Sequence, residues 1–194
     1  MKLSSFSTIL LIHLATSSIY FISPIQCTLN RPSLVEQTCR KTPHYNLCVS
    51  TLKSHLVSQH GPSRVNIEGF ARTTLQAIAV NASATLKHVH RVFEQRSDKQ
   101  MRIALDSCIA SYTKIVKVLL PEAISCINKG DNKGVKAGAS AIANLAISCE
   151  NKCMATNNSP LRDSNQYVQN LCAIAASIVN YLPQAHHQGL HRFL

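Results

Sequence analysis

The chain has no tryptophan, only nine acidic residues, and few strand-like alternations of apolar and polar side chains. Each shortage excludes something. The nine Asp and Glu residues are scattered and offer no evident pair for general acid–base work. There is no Gly-x-Ser-x-Gly elbow, no His-Glu-x-x-His pair and no glycine-rich phosphate loop. Serines and histidines are present, but nothing brings a nucleophile, a base and an orienting carboxylate together. The expectation is therefore a protein that is not an enzyme, with no catalytic residues, no cofactor and no metal centre. Past the first residues, no apolar run approaches the ~20 needed to span a bilayer. Internal repeats and low-complexity segments are absent too.

The N-terminus has a recognisable pattern. Lys2 precedes Ile9-Leu10-Leu11-Ile12 and a further apolar stretch through Tyr20-Phe21-Ile22, closing on Ser23-Pro24-Ile25-Gln26-Cys27. This reads as a secretory signal peptide over 1–27. His13, Thr16, Ser17 and Ser18 break up the apolar run, which favours cleavage over a retained anchor. What remains is the size of one domain, expected over 28–184 with a disordered tail at 185–194. Histidines in that tail (His186, His187, His191) carry no metal expectation, since a frayed terminus is a poor ligand frame.

Twenty Lys and Arg give a formal charge of +11 at pH 7. In a nuclear protein that would suggest nucleic acid. A signal peptide and eight cysteines instead imply an oxidising, extracellular compartment. There, an acidic polysaccharide or an acidic partner protein is the more natural counterpart, and solvated helix faces account for the charge equally well. No nucleic acid and no membrane partner is expected.

Apolar periodicity organises the middle of the chain. Leu105, Ile109, Tyr112, Val116, Leu119, Ala123 and Ile127 recur at steps of four and three, as do Val135, Ala139, Ile142, Ala146, Cys149 and Cys153. Polar residues 128–134 separate the two stripes, so they read as an antiparallel helical hairpin. Folded near residue 129, it brings Cys108 opposite Cys149. A long amphipathic helix is expected over 64–96, with Ile67, Phe70, Thr74, Ile78, Ala82, Val89 and Phe93 mostly on one face. Ser97 is a plausible N-cap for the next helix, which Pro121 should kink. Ser159-Pro160 should open a final helix carrying Val168, Leu171, Cys172, Ala175, Ile178 and Val179. Upstream, Pro43 disfavours helix at Thr42, so 34–48 reads as a short helix, a turn and a second helix. Cys39 and Cys48 bracket that turn. An eight-residue gap suits a disulfide better than a zinc knuckle. The fold class is thus all-α: an up-down-up-down four-helix bundle with an N-terminal disulfide-tied helical hairpin. Sequons at Asn81 and Asn157 are candidate glycosylation sites, Asn81 only if it points outward.

Cys126, Cys153 and Cys172 are expected to stay thiols, with Cys27 at the signal boundary. A Cys126–Cys153 bridge would have to cross ~33 Å along the hairpin at 1.5 Å per residue. Cys153, one turn beyond Cys149, could compete for Cys108.

Several stretches carry a resemblance. Glu36-Gln37-Thr38-Cys39-Arg40-Lys41-Thr42-Pro43-His44-Tyr45-Asn46-Leu47-Cys48, then Ala104-Leu105-Asp106-Ser107-Cys108 with Tyr112, continue into Leu120-Pro121-Glu122-Ala123. Cys149-Glu150 and Ser159-Pro160-Leu161 with Asn165 complete the set. Over nearly the whole mature chain this resembles the plant invertase and pectin methylesterase inhibitors. The resemblance implies the same bundle and the bridges Cys39–Cys48 and Cys108–Cys149. It also implies a secreted inhibitor in the cell wall (apoplast) or the vacuole, partnered by an acid invertase or a pectin methylesterase. A non-inhibitory secreted binding protein is the alternative. A lipid-transfer scaffold would need adjacent Cys-Cys and Cys-x-Cys pairs, which are absent.

In invertase inhibitors a Gly-Asp-Pro-Lys-Phe turn enters the sucrose-binding cleft. This chain has Gly130-Asp131-Asn132-Lys133-Gly134 there, so the resemblance makes Asp131, Asn132, Lys133 and Gly134 the target-binding residues. Asn132 replaces a φ-fixing proline and Gly134 replaces a large apolar ring. The expected turn is more flexible, and offers mainly a cation to the carboxylates of a glycosidase.

Overall fold

The structure is a computed structural model, and it describes residues 32–58, 66–155 and 159–182. The expected signal peptide, Cys27, the Asn157 sequon and the histidine tail lie outside the described residues. Among those described there is no strand. The helices are α1 (Leu34–Cys39), α2 (Tyr45–Ser58), α3 (Ile67–Gln95), α4 (Lys99–Lys114), α5 (Leu120–Asn128), α6 (Asn132–Met154) and α7 (Arg162–Val179).

Helix starts follow local hydrogen bonding. Ser33 and Glu36 form a reciprocal capping box on α1. Asn66 caps α3 by accepting from Gly69 N–H at 2.7 Å. For α4 the cap is Asp98 rather than the expected Ser97: its carboxylate accepts from Met101 N–H at 2.7 Å. A charged acceptor at the positive end of a helix outcompetes a hydroxyl one residue earlier. Nor does Ser159 cap α7, which begins at Arg162 with no side-chain cap. The Ser159 hydroxyl donates to Glu150 Oε2 at 2.7 Å and accepts from Leu161 N–H at 3.4 Å.

Pro121 produces a different distortion from the simple kink expected. Residues Ile115–Leu119 wind as a π turn between α4 and α5, with Leu120 N–H reaching back to the Ile115 carbonyl. Proline has no N–H to donate and its ring crowds the preceding turn, and the wider winding opens that turn. The extra residue moves the apolar stripe. Ile115 and Leu120, five apart, are buried, whereas Val116 and Leu119 from the expected stripe are only half-buried.

Four rods, α3, α4–α5, α6 and α7, pack in a ring with short connections, giving the up-down-up-down bundle. Leu75, Ile78, Leu105, Tyr112, Ile127, Ile142, Leu171 and Ile174 fill its axis, each buried Leu or Ile contributing about 1.5–3 kcal/mol. At Gly138 an added Cβ would sit 3.1 Å from the Ala123 Cβ, so glycine lets α5 and α6 approach closely. Arg102 ties α3 to α4. It donates to the Phe93 carbonyl at 2.8 Å and lies over the Phe93 ring at 4.0 Å.

Among the described residues there are two disulfides, Cys39–Cys48 across the α1–α2 turn and Cys108–Cys149 between α4 and α6. A buried polar chain crosses the core beside the second. Tyr112 donates to Asn165 Oδ1 at 2.7 Å, and Asn165 Nδ2 donates to Glu150 Oε2 at 2.8 Å. Burial drives the Tyr112 phenol well above its ordinary range. It stays a neutral donor, as the network requires.

Candidate functional site

The turn between α5 and α6 is built from two caps placed back to back. At the end of α5, Gly130 N–H bonds to the Ile127 carbonyl and Asp131 N–H to the Cys126 carbonyl at 2.9 Å. With Gly130 at φ 70°, this is a Schellman motif. Its left-handed residue is the one glycine occupies without a Cβ penalty. Asp131 immediately becomes the N-cap of α6, its Oδ1 accepting from Gly134 N–H at 2.9 Å. At φ −82°, ψ 82°, with Asn132 N–H on the Gly130 carbonyl at 3.1 Å, Asp131 also centres an inverse γ-turn. Little backbone freedom is left. The flexible turn expected from Asn-Lys-Gly is instead fixed by hydrogen bonds, with no proline needed.

The four candidate residues sit in unlike surroundings. Asp131 is exposed, and its carboxylate is committed to the cap. Asn132 is buried, donating from Nδ2 to the Leu182 carbonyl at 3.2 Å, so it ties the turn to the end of α7. Gly134 is half-buried, and a Cβ there would overlap the Asp131 carboxylate and lie 2.5 Å from the Cys126 sulfur. Burial, with the adjacent Asp131 charge, pushes the Cys126 thiol up. Lys133 alone of the four projects a long exposed side chain.

Around it the bundle end is cationic. Lys129 is exposed beside the turn, and Lys136 reaches Asn180 Oδ1 at 3.3 Å. Lys41, from the α1–α2 turn, lies 4.5 Å over the Tyr181 ring. Arg72 bonds to Asn128 and pairs with Glu68 at 3.0 Å. Lys41, Arg72 and Lys136 escaped the sequence reading because they come from three different elements. The antiparallel order of the helices was the only signal that could have grouped them.

A second surface lies between α3 and α7, an open groove lined by Asn81, Thr85, His88, Arg91, Asp163 and Tyr167. Asn81 is half-buried there, its Nδ2 donating to the Ala77 carbonyl at 2.8 Å. Tyr167 exposes its ring. Among the described residues the cluster of potential soft-metal ligands is Cys108, Cys149 and Cys153, sulfurs within 4.8 Å of one another. Two of these three sulfurs are bonded to each other.

Comparison with known proteins extends this picture. A family model described as plant invertase/pectin methylesterase inhibitor matches residues 33–178. Cell wall / vacuolar inhibitor of fructosidase 1 of Arabidopsis thaliana is 30% identical over 146 residues, covering 75% of this chain and 67% of that protein. Pectinesterase inhibitor 1 of the same plant is 28% identical over 148 residues, covering 75% and 80%. A crystal structure of a mutant form of a pectin methylesterase inhibitor from Arabidopsis superimposes with TM-score 0.66 at 26% identity, over 75% of this chain and 95% of that one.

Proposed function

The chain belongs to the plant invertase/pectin methylesterase inhibitor family, and on that premise we propose that it is a secreted inhibitor of an acid invertase. The observation that carries this reading is the pre-set α5–α6 turn with an exposed Lys133 at a cationic bundle end. Acid glycosidases work with a pair of carboxylates flanking the scissile bond. A lysine on a rigid turn reaches such a pair with little ordering cost, which is how a pre-organised loop gains affinity. Asp131, Asn132 and Gly134 then shape and anchor the turn, and Lys133 makes the contact. The relatives are inhibitors rather than catalysts by name, and this chain is read in the same way, with a carbohydrate-active enzyme as its partner. No described helix is long and apolar enough to cross a membrane, in keeping with a site of action in the cell wall or vacuole.

The second reading is inhibition of a pectin methylesterase through a lateral helix face. It is favoured by the α3–α7 groove with its exposed Tyr167 and by the absence of a bulky apolar residue at 134. Purified protein assayed against both enzymes at mildly acidic pH separates the two. On the first reading invertase is inhibited and Lys133→Ala weakens that inhibition by roughly tenfold, the scale of one charge-assisted contact. Inhibition confined to pectin methylesterase and indifferent to Lys133→Ala moves the interface to the groove.

A further inference from the structure

The Cys108–Cys149 bridge has a third sulfur packed against it. Cys153 lies one helical turn after Cys149 on the same face of α6, wholly buried and outside either disulfide. Its Sγ is 3.8 Å from Cys108 Sγ, and all three sulfurs fall within 4.8 Å of one another. Exchange requires the thiolate to attack along the S–S axis, and Cys153 meets Cys108 from the side of the bond, one reorientation away from that line.

We propose that the α4–α6 bridge is exchangeable in place, with Cys153 able to take over Cys108 from Cys149. The inference is independent of the target enzyme. The step balances within the chain. Cys153 gives up its proton and its thiolate attacks Cys108 Sγ. The Cys108–Cys153 bond forms as Cys108–Cys149 breaks. The bonding pair leaves on Cys149 Sγ, which takes up a proton, so one disulfide and one thiol remain. No oxidant or reductant enters. Cys153 must first swing into line with the Cys108–Cys149 bond by side-chain rotation on α6, and the two helices stay pinned in either isomer. Burial and the Glu150 charge raise the Cys153 thiol above its ordinary range, so thiolate is scarce and exchange is slow in the closed fold. Local opening around residues 149–153 would speed it.

Lys152 makes the isomers distinguishable, since trypsin cleaves between Cys149 and Cys153. The whole protein is held in mildly destabilising denaturant with an alkylating agent, quenched in acid and digested without reduction. The expected result is a 103–114 peptide linked to 153–162, with alkylated Cys149 on 137–152, gained as the 103–114/137–152 pair is lost. A digest in which 103–114 remains linked only to 137–152 and the label sits on Cys153 overturns the proposal. As a second measurement, Cys149→Ser folded under oxidising conditions should hold a Cys108–Cys153 bridge and lose less thermal stability than Cys108→Ser. Equal losses in the two variants, with Cys108 and Cys153 both recovered as thiols, overturn it as well.

Discussion

Removing the Cys108–Cys149 bridge should destabilise the bundle more than removing Cys39–Cys48, and the size of the difference follows from loop length. The first closes a sequence separation of 41, the second a separation of 9. On the chain-entropy relation these give about 4 and about 2.6 kcal/mol at 25 °C. Against a domain stability of roughly 5–15 kcal/mol, the larger loss leaves a marginal fold. At this chain length 1 kcal/mol shifts the thermal midpoint by roughly 2–4 °C, so Cys108→Ala should lower it by about 8–16 °C. Cys172→Ala, which removes one buried sulfur from α7, should cost much less. The assay is equilibrium denaturant unfolding of each variant. Because the bridge acts on the unfolded chain, Cys108→Ala should also steepen the denaturant dependence as that chain expands. If Cys39→Ala proves as costly as Cys108→Ala, or the slope does not change, loop closure is not what makes the inter-helix bridge matter.

Further tests address the turn and the core. Gly134→Ala should cost about 1–3 kcal/mol in urea unfolding, because its Cβ displaces the Asp131 cap and the Cys126 sulfur. Gly134→Phe, although it restores the ring found in invertase inhibitors, should then weaken rather than strengthen inhibition in an invertase assay. Burial pushes the Cys172 thiol up to about 12 from an ordinary value of 9.0. Above pH 9 the unfolded chain releases that proton while the folded chain keeps it, so stability falls as pH rises toward 12. Cys172→Ala should flatten that part of the pH–stability profile measured by chemical denaturation.

Much of the fold was legible because it rests on local periodicity. The stripe from Val135 to Cys153 is buried as read, and Cys108 does face Cys149. What escaped the sequence depends on contacts between distant elements. The burial of Asn132 is set by the Leu182 carbonyl at the far end of the chain, and nothing in Gly-Asp-Asn-Lys-Gly announces it. The Tyr112–Asn165–Glu150 chain joins three helices, and three polar residues far apart in sequence leave no spacing to read. Ser159 is no cap because α7 opens only at Arg162, with Leu161 rather than Ser159 at the N-cap position. At the candidate site the residue types were right for a turn. Their division into one exposed lysine and three shaping residues depends on partners the turn itself does not contain, such as the Leu182 carbonyl.

The π turn at Ile115–Leu119 bears on how this helix could change. Five residues span what four would in an α-helix, so the rod carries one residue more than its length requires. Deleting Val118, which faces solvent, would bring Ile115 and Leu120 to a spacing of four and keep both halves of the stripe in phase. The same deletion would press the Pro121 ring into a normal α-turn. The surplus residue therefore accommodates the proline: losing it alone strains the rod, and losing both together leaves an ordinary helix with the same buried face.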